Sequence, residues 1–429
     1  MALMKQHPTP VFISLCGLCV ALIPWSRAED NAASTPPETA PAPTASARIK
    51  EAFTKGKLDV NLRLRWENAE QTGRETANAV TFRARLGYTT APLYGFQAGL
   101  EFQGNVPVGT TDEYKPYPSS TDPDTVNKVV VADPEDYLID QGWGSYTRWD
   151  STVKGGRQKL LLDNQRFIGP VGWRQLQQTY DAAVLDVGAL KDWRFFYGYL
   201  WQINRIFGPN NPGGRWTTSS HLIHVTYEGC EYARVALYGY LLDITTAPRF
   251  SSDTFGASVT GKIPLSEEWK LSYRGEFAWQ TDAYDNAADY GAPYYHLKIG
   301  PEVGRFNAGV AYEVLSSDNG AAVQTPLATL HAFNGWADNF LVTPADGLRD
   351  AYAWVGVNLP GDFPLKATVH KFDADDGDND YGWELDLSLA HSFGKYFKAL
   401  VAYARYDGKD GARYSRDLNR FWLQGEFIY

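Results

Sequence analysis

Cysteine is scarce. The 429 residues hold three, at positions 16, 19 and 230, beside only 2 methionines. Cys16 and Cys19 lie within the apolar run Val11 to Ile23, which follows Lys5 and precedes Ser26-Arg27-Ala28, where small residues occupy both positions that a signal peptidase inspects. Residues 1–28 therefore read as a cleaved secretory signal. Both cysteines follow Leu, so a lipoprotein signal does not fit, and the run is shorter than the roughly 20 residues that span a bilayer as a helix. Cleavage leaves Cys230 alone, which excludes an intramolecular disulfide, a cysteine metal site and cysteine-pair redox chemistry.

Long hydrophobic runs are also missing. No later window has the 18 consecutive apolar residues that mark a membrane helix. Catalytic signatures are absent as well: there is no Gly-x-Ser-x-Gly elbow, and none of the seven histidines sits in a nucleophile or metal motif, so His296 and His370 read as structural. No enzyme activity, cofactor or metal is expected. The net charge of −10 offers no basic footprint for nucleic acid.

What the chain does hold is aromatic residues, 26 Tyr and 14 Trp, with 39 Gly, a mixture suited to strands and tight turns. Residues 29–48 form a Pro/Ala/Thr/Ser-rich linker expected to be disordered. From 49 to 429, polar and apolar residues alternate with period two. Leu58, Val60, Leu62, Leu64 and Trp66 oppose Asp59, Asn61, Arg63 and Arg65; Trp269, Leu271, Tyr273 and Phe277 oppose Lys270, Ser272, Arg274 and Glu276. Such segments begin near 57, 79, 94, 138, 152, 177, 191, 219, 231, 252, 267, 291, 304, 350, 364, 380, 396 and 419. Short turns alternate with long polar loops, including 105–136, 202–218, 315–349 and 408–418. A soluble sandwich or propeller hides its apolar face, whereas here Trp, Tyr and Leu fill one face along the whole chain. The pattern predicts an all-β fold: a transmembrane antiparallel up-and-down β-barrel of about 18 strands, with short periplasmic turns, long extracellular loops and both termini periplasmic, in the outer membrane of a Gram-negative-type cell. The last strand, ending at Tyr429, reads as the segment that assembly machinery recognises, and nothing in the sequence asks for more than a monomer in lipid and lipopolysaccharide.

With apolar residues facing lipid, the charges face the lumen. Arg63, Arg65, Arg83, Arg85, Arg157, Lys159, Arg234 and Arg274 form a basic ladder, and a guanidinium binds carboxylates in a fixed fork. Inward acids, such as Asp181, Glu276, Glu384, Asp386 and Glu426, are fewer, and each arginine taken singly is expected to have a structural partner among such groups. Much of the negative charge is assigned to solvated loop tips, one holding Asp112, Glu113, Asp122, Asp124, Asp133, Glu135 and Asp136, another running from Asp373 to Asp380. In the second, Gly377 sits one position early for an EF-hand. Tyr238, Tyr240, Tyr352 and Trp354 are candidates for stacking on sugar rings or for filling space.

Between two strands, Asp163 to Trp173 forms a hook with Gly169-Pro170 and Gly172 as turn residues. Arg166 and Arg174 belong to it and are expected to fold into the mouth or pair with Asp163 and Asp181. Gln158, Leu160, Leu162, Tyr180, Ala182 and Val184 are expected on the lipid side.

The stretch Gly156-Arg157-Gln158, Asp163-Asn164-Gln165-Arg166-Phe167-Ile168-Gly169, Trp173-Arg174-Gln175 and Gln178-Thr179-Tyr180-Asp181-Ala182 resembles the alginate export family of outer-membrane barrels. Arg83-Ala84-Arg85-Leu86-Gly87-Tyr88 and Tyr381-Gly382-Trp383-Glu384-Leu385-Asp386 support the resemblance. It implies a monomeric barrel of 18 strands and passive passage of a negatively charged polysaccharide such as alginate through an arginine-rich lumen. The alternatives are a general or small-anion porin, and a structural barrel occluded by loops 105–136 or 315–349.

Overall fold

The structure, a computed structural model, describes residues 44–110, 112–410 and 414–429. The expected signal, residues 1–28, lies outside the described residues. Eighteen antiparallel strands form one closed sheet. In chain order they are β1 (Lys57–Gln71), β2 (Ala77–Thr89), β3 (Phe96–Pro107), β4 (Asp136–Arg148), β5 (Ser151–Gln158), β6 (Thr179–Val187), β7 (Trp193–Asn204), β8 (Arg215–Cys230) and β9 (Ala233–Leu242). The second half continues with β10 (Ser252–Pro264), β11 (Trp269–Asp282), β12 (Gly291–Val303), β13 (Phe306–Leu315), β14 (Leu348–Leu359), β15 (Phe363–Asp373), β16 (Asp380–Phe393), β17 (Phe397–Gly408) and β18 (Leu418–Ile428). Each strand pairs with its chain neighbours, and β18 returns to β1 in register from Asn61 opposite Ile428 to Gln71 opposite Leu418. Closure leaves no free strand edge, which is what a hydrocarbon surrounding demands of backbone polar groups. The predicted architecture is observed, with strand starts within a few residues of those expected.

Period-two alternation fixes which side faces out. On β1 Leu64 is 49% exposed on the outer wall, whereas its neighbour Arg65, pointing inward, is 1% exposed. Tight connections gather at one rim. The two-residue turn Trp149-Asp150 has positive φ at both positions, the geometry that matches hairpin twist. Lys57, opposite Thr89, and Ile428, opposite Asn61, lie at that same rim, so both ends of the barrel share it. The opposite rim carries the long connections 108–135, 159–178 and 316–347.

Three expectations need correction. The linker expected over 29–48 lies outside the described residues as far as 43, and its last four residues belong to a helix, α1 (Ala45–Thr54), whose sequence ASARIKEAFT has no proline and is rich in helix formers. Second, Gln158, Leu160, Leu162, Tyr180, Ala182 and Val184 are buried on the inside. β5 and β6 pair in unbroken register with Gln158, Tyr180, Ala182 and Val184 on the inner side, and the extra residue is Trp201 on β7, opposite the step from Asp181 to Ala182. Ala183 and Leu185 take the outer face instead. Third, Asp133 and Asp136 are not solvated loop tips. They are buried, Asp133 completely.

Candidate functional site

The wall strand β5 passes through Gly156, whose φ of +113° is open to glycine and whose added Cβ would lie 2.3 Å from the Gly142 carbonyl oxygen, and ends at Gln158. From there the chain runs into the barrel. Leu160, Leu162, Phe167 and Ile168 are buried among inward residues of the wall, with the Phe167 ring 5.2 Å from Tyr294 and 5.5 Å from Tyr238. Burying each such side chain contributes roughly 1.5–3 kcal/mol, enough to hold the hook inside. Tyr238 and Tyr240, stacked on each other at 4.9 Å, are thus packing residues.

Loop 316–347 enters from the same rim and meets the hook edge-on. Gly169 N donates to Leu327 O at 2.8 Å, Thr329 N donates to Gln165 O at 3.0 Å, and the Tyr180 hydroxyl donates to Gly169 O at 2.8 Å. Loop 108–135 adds Asp133, whose carboxylate accepts from Gln175 N at 2.7 Å. Three loops therefore interlock across the lumen.

Ion pairs fasten this plug. Arg166 Nε lies 2.8 Å from Glu313 on β13, and its two terminal nitrogens donate to Thr325 and Asn334. Arg174 reaches Glu67 on β1 at 2.9 Å, Asp338 at 2.7 Å and Asp133 at 3.7 Å. His331 lies 2.8 Å from the other Asp338 oxygen and stacks on Trp173 at 4.0 Å. Burial works against the charge on Arg174, but Glu67, Asp133 and Asp338 outweigh it and raise its pKa. Burial likewise opposes ionisation of Asp338, yet His331, Arg174 and Arg420 hold its carboxyl well below the usual range. Arg166 and Arg174 do fold inward, as expected. Neither pairs with Asp163 or Asp181: Asp163 receives Arg234 at 3.0 Å and Arg274, and Asp181 receives Arg157 at 2.7 Å.

The remaining ladder divides by place. Lys159 lies 3.6 Å from Glu101. On β1 and β2, Arg63, Arg65, Arg83 and Arg85 form one cluster with few acids. Arg63 and Arg83 share Glu426 at 3.2 and 3.0 Å. Arg65 hydrogen-bonds Gln424, lies 4.2 Å over the Trp173 ring, and meets Asp133 only at 4.0 Å. Arg85 donates to Gln103 and to Gln175 O. Among the described residues, Arg63 Nε, Arg65 Nη1, and Arg83 Nε and Nη1 are buried without a hydrogen-bond acceptor. Buried donors of this kind call for an acceptor.

Toward the short-turn rim the lumen opens into a cavity of about 800 Å³ whose lining includes Tyr352 and the cations Arg234, Lys262, Arg274 and Lys298 against two acids, Glu228 and Glu231. A second, of about 420 Å³, is lined by Lys154, Lys159, Asp163, Arg194 and again Arg234. Lys298 lies over the Trp354 ring at 4.5 Å, so Tyr352 and Trp354 belong to a cation-lined vestibule.

Sequence reasoning missed Glu67, Arg420 and Asp338. Glu67 continues the inward series 63, 65, and Arg420 the series 426, 424, so parity alone points to both; Arg420 pairs with Glu67 at 2.7 Å. Asp338 lies in an irregular loop with no period to read.

No protein-family model matches the chain, and no curated protein matches it. Solved structures do. The crystal structure of OccAB4 from Acinetobacter baumannii superposes with a TM-score of 0.69 at 13% identity, covering 88% of this chain and 99% of that one. OpdK from Pseudomonas aeruginosa, crystallised with vanillate, gives 0.67 at 12% identity over 87% of this chain and 98% of that one. OccK5 (OpdH), also from P. aeruginosa, gives 0.63 at 14% identity over 88% and 98%. The chain thus has the fold of an 18-stranded outer-membrane porin.

Proposed function

We propose that the protein is a passive outer-membrane channel for small organic anions, carboxylates foremost, which pass an arginine-lined lumen narrowed by three inward loops. The observation that carries this reading is the cluster Arg63, Arg65, Arg83 and Arg85, four guanidinium groups, the first three with unmet N–H donors, around Glu426 and a distant Asp133. A carboxylate fits both the charge and the forked donor geometry, and the cation-lined vestibule gives it a next station toward the short-turn rim. OpdK was crystallised with vanillate, an aromatic carboxylate, and the shared fold makes that class the first to try. The short-turn rim, with both barrel ends, faces the periplasm in this reading, and β18 serves as the assembly segment.

A second reading, conduction of an alginate-like polysaccharide, rests on the resemblance of the hook block. The same block is hydrogen-bonded across the lumen to loop 316–347, an arrangement suited to small solutes and not to a continuous polymer. The reversal potential of the purified protein in a planar bilayer under a salt gradient tests both. Anion selectivity with current block by benzoate-type carboxylates supports the first; block by oligomannuronate alone supports the second; weak selectivity with neither block sinks both.

A further inference from the structure

Helix α1 has a face that the barrel leaves uncovered. The helix sits at the short-turn rim on the outside of the wall: Ala91 N donates to Ala52 O at 2.8 Å, the Tyr88 hydroxyl donates to Phe53 O, and Arg48 lies over the Tyr94 ring at 5.3 Å. Tyr88 shares the outer face of β2 with the exposed Leu86, so the helix rests on lipid-facing surface. Ala52 is buried in that contact. At 3.6 residues per turn, Ala45, Ile49, Ala52 and Phe53 share one side, and beyond Ala52 the arc remains bare, with Ile49 49% and Phe53 61% exposed. Arg48 and Lys55 flank one edge of this arc and Lys50 the other, while Thr54 points away.

Two observations name the occupant. The bare arc continues the exposed aromatic rim formed by Tyr94, Phe96 and Trp149, the level at which barrels carry their interfacial girdle. Residues 48–59 carry four cations against two acids, Lys55 beside Glu51 and Lys57 beside Asp59, which leaves a net positive charge in a chain whose overall charge is −10 and suits anionic headgroups. We infer that α1 is an interfacial helix that inserts Ile49 and Phe53 among the acyl chains of the leaflet at the short-turn rim, while Arg48, Lys50 and Lys55 meet lipid phosphates. The inference rests on the membrane-barrel reading and not on what the channel carries.

Site-directed spin labelling of the full chain tests it. Cys16, Cys19 and Cys230 are replaced by Ser, a nitroxide is attached at Phe53→Cys or Thr54→Cys, and the protein is refolded into phosphatidylethanolamine–phosphatidylglycerol vesicles, with heat-modifiable gel migration reporting an intact barrel. The ratio of oxygen to nickel-chelate collisions should be several-fold higher at 53 than at 54, and Lys50→Glu/Lys55→Glu should lower it at 53. Equal nickel access at the two positions would mean that the arc faces water and overturns the inference. A label at 53 shielded from both reagents would mean a protein occupant, either the preceding chain or a partner, and overturns it too. Loss of the difference between 53 and 54 only in purely zwitterionic vesicles supports the attraction of Arg48, Lys50 and Lys55 to anionic headgroups.

Discussion

Arg63 on β1 and Arg83 on β2 stand directly opposite each other in the ladder, and one carboxylate, Glu426 on β18, accepts from both. Like charges facing across strands are destabilising by about 0.2–1 kcal/mol. A sequence under selection for stability alone would separate them. Here they stand beside Arg65 and Arg85, and the cluster is left with more donors than acceptors, the feature on which the proposed anion site rests.

The first prediction contrasts the two sides of that arrangement. Arg83→Gln removes a repulsive charge, so the barrel should unfold at an unchanged or higher temperature while its anion-to-cation permeability ratio falls severalfold. Glu426→Gln leaves two buried guanidinium groups uncompensated, which typically costs about 3–5 kcal/mol, and should lower the unfolding temperature. Thermal gel-shift assays and reversal potentials on the two variants check this. Equal stability losses for both would remove the argument that the cluster carries surplus charge.

The second concerns the plug. Arg174 bridges the hook to Asp338 of loop 316–347 and to Glu67 of the wall, so Asp338→Asn deletes one charge from a buried pair. The hook and the loop should part more often, raising mean single-channel conductance and exposing loop 316–347 to protease. An unchanged conductance trace would show that the loops stay closed without this contact.

Acid should do little to the same plug. Asp338 is buried, which favours its neutral form, but His331, Arg174 and Arg420 hold its carboxyl below the usual range, and Glu67 and Asp133 stand on the far side of Arg174. A depressed folded value means that stabilisation is fully present above the unfolded value of about 3.9 and is lost only as pH falls through the lower folded value. Asp163, held low by Arg274 and Arg234 against its burial, follows the same rule. Conductance should therefore stay flat between neutrality and roughly pH 5. A rise in that interval would point to another titrating group.

The wall was legible because its period is short and local: each strand announces its two faces in successive residues, and the outer face of Leu58, Leu64 and Trp66 needs no tertiary knowledge. The same logic failed at β5 and β6, where the inner face turned out apolar. Tyr180, Ala182 and Val184 face inward because the hook supplies an apolar partner, which no local pattern can report. Parity found the wall arginines and several wall acids that receive them, Glu426, Glu276 and Asp181 among them; the loop partners it did not find. Asp133 looked like one of many loop acids and is the buried acceptor of Gln175 N. Pairing across more than a hundred residues, such as Arg166 with Glu313, is a property of loop paths and not of spacing.

Gly169 gives the last test, because it separates the plug's backbone fit from its charges. The glycine sits where the hook touches loop 316–347, donating from its N–H to Leu327 O while its carbonyl accepts from Tyr180. A Cβ there would fall 2.3 Å from the Thr329 hydroxyl oxygen and 3.1 Å from Thr329 N, closer than either contact allows. The backbone nitrogen cannot move without breaking the bond from Thr329 N to Gln165 O, so Gly169→Ala should push the loop off the hook at a cost of about 1–3 kcal/mol, in the range of overpacking. The wall is untouched, so unfolding of the barrel itself should hardly change. Conductance should rise as it does in Asp338→Asn, and the double variant should add little, since both changes part the same two segments. Fully additive effects would mean that the hook and the loop are held by independent contacts, and that the plug opens in two steps.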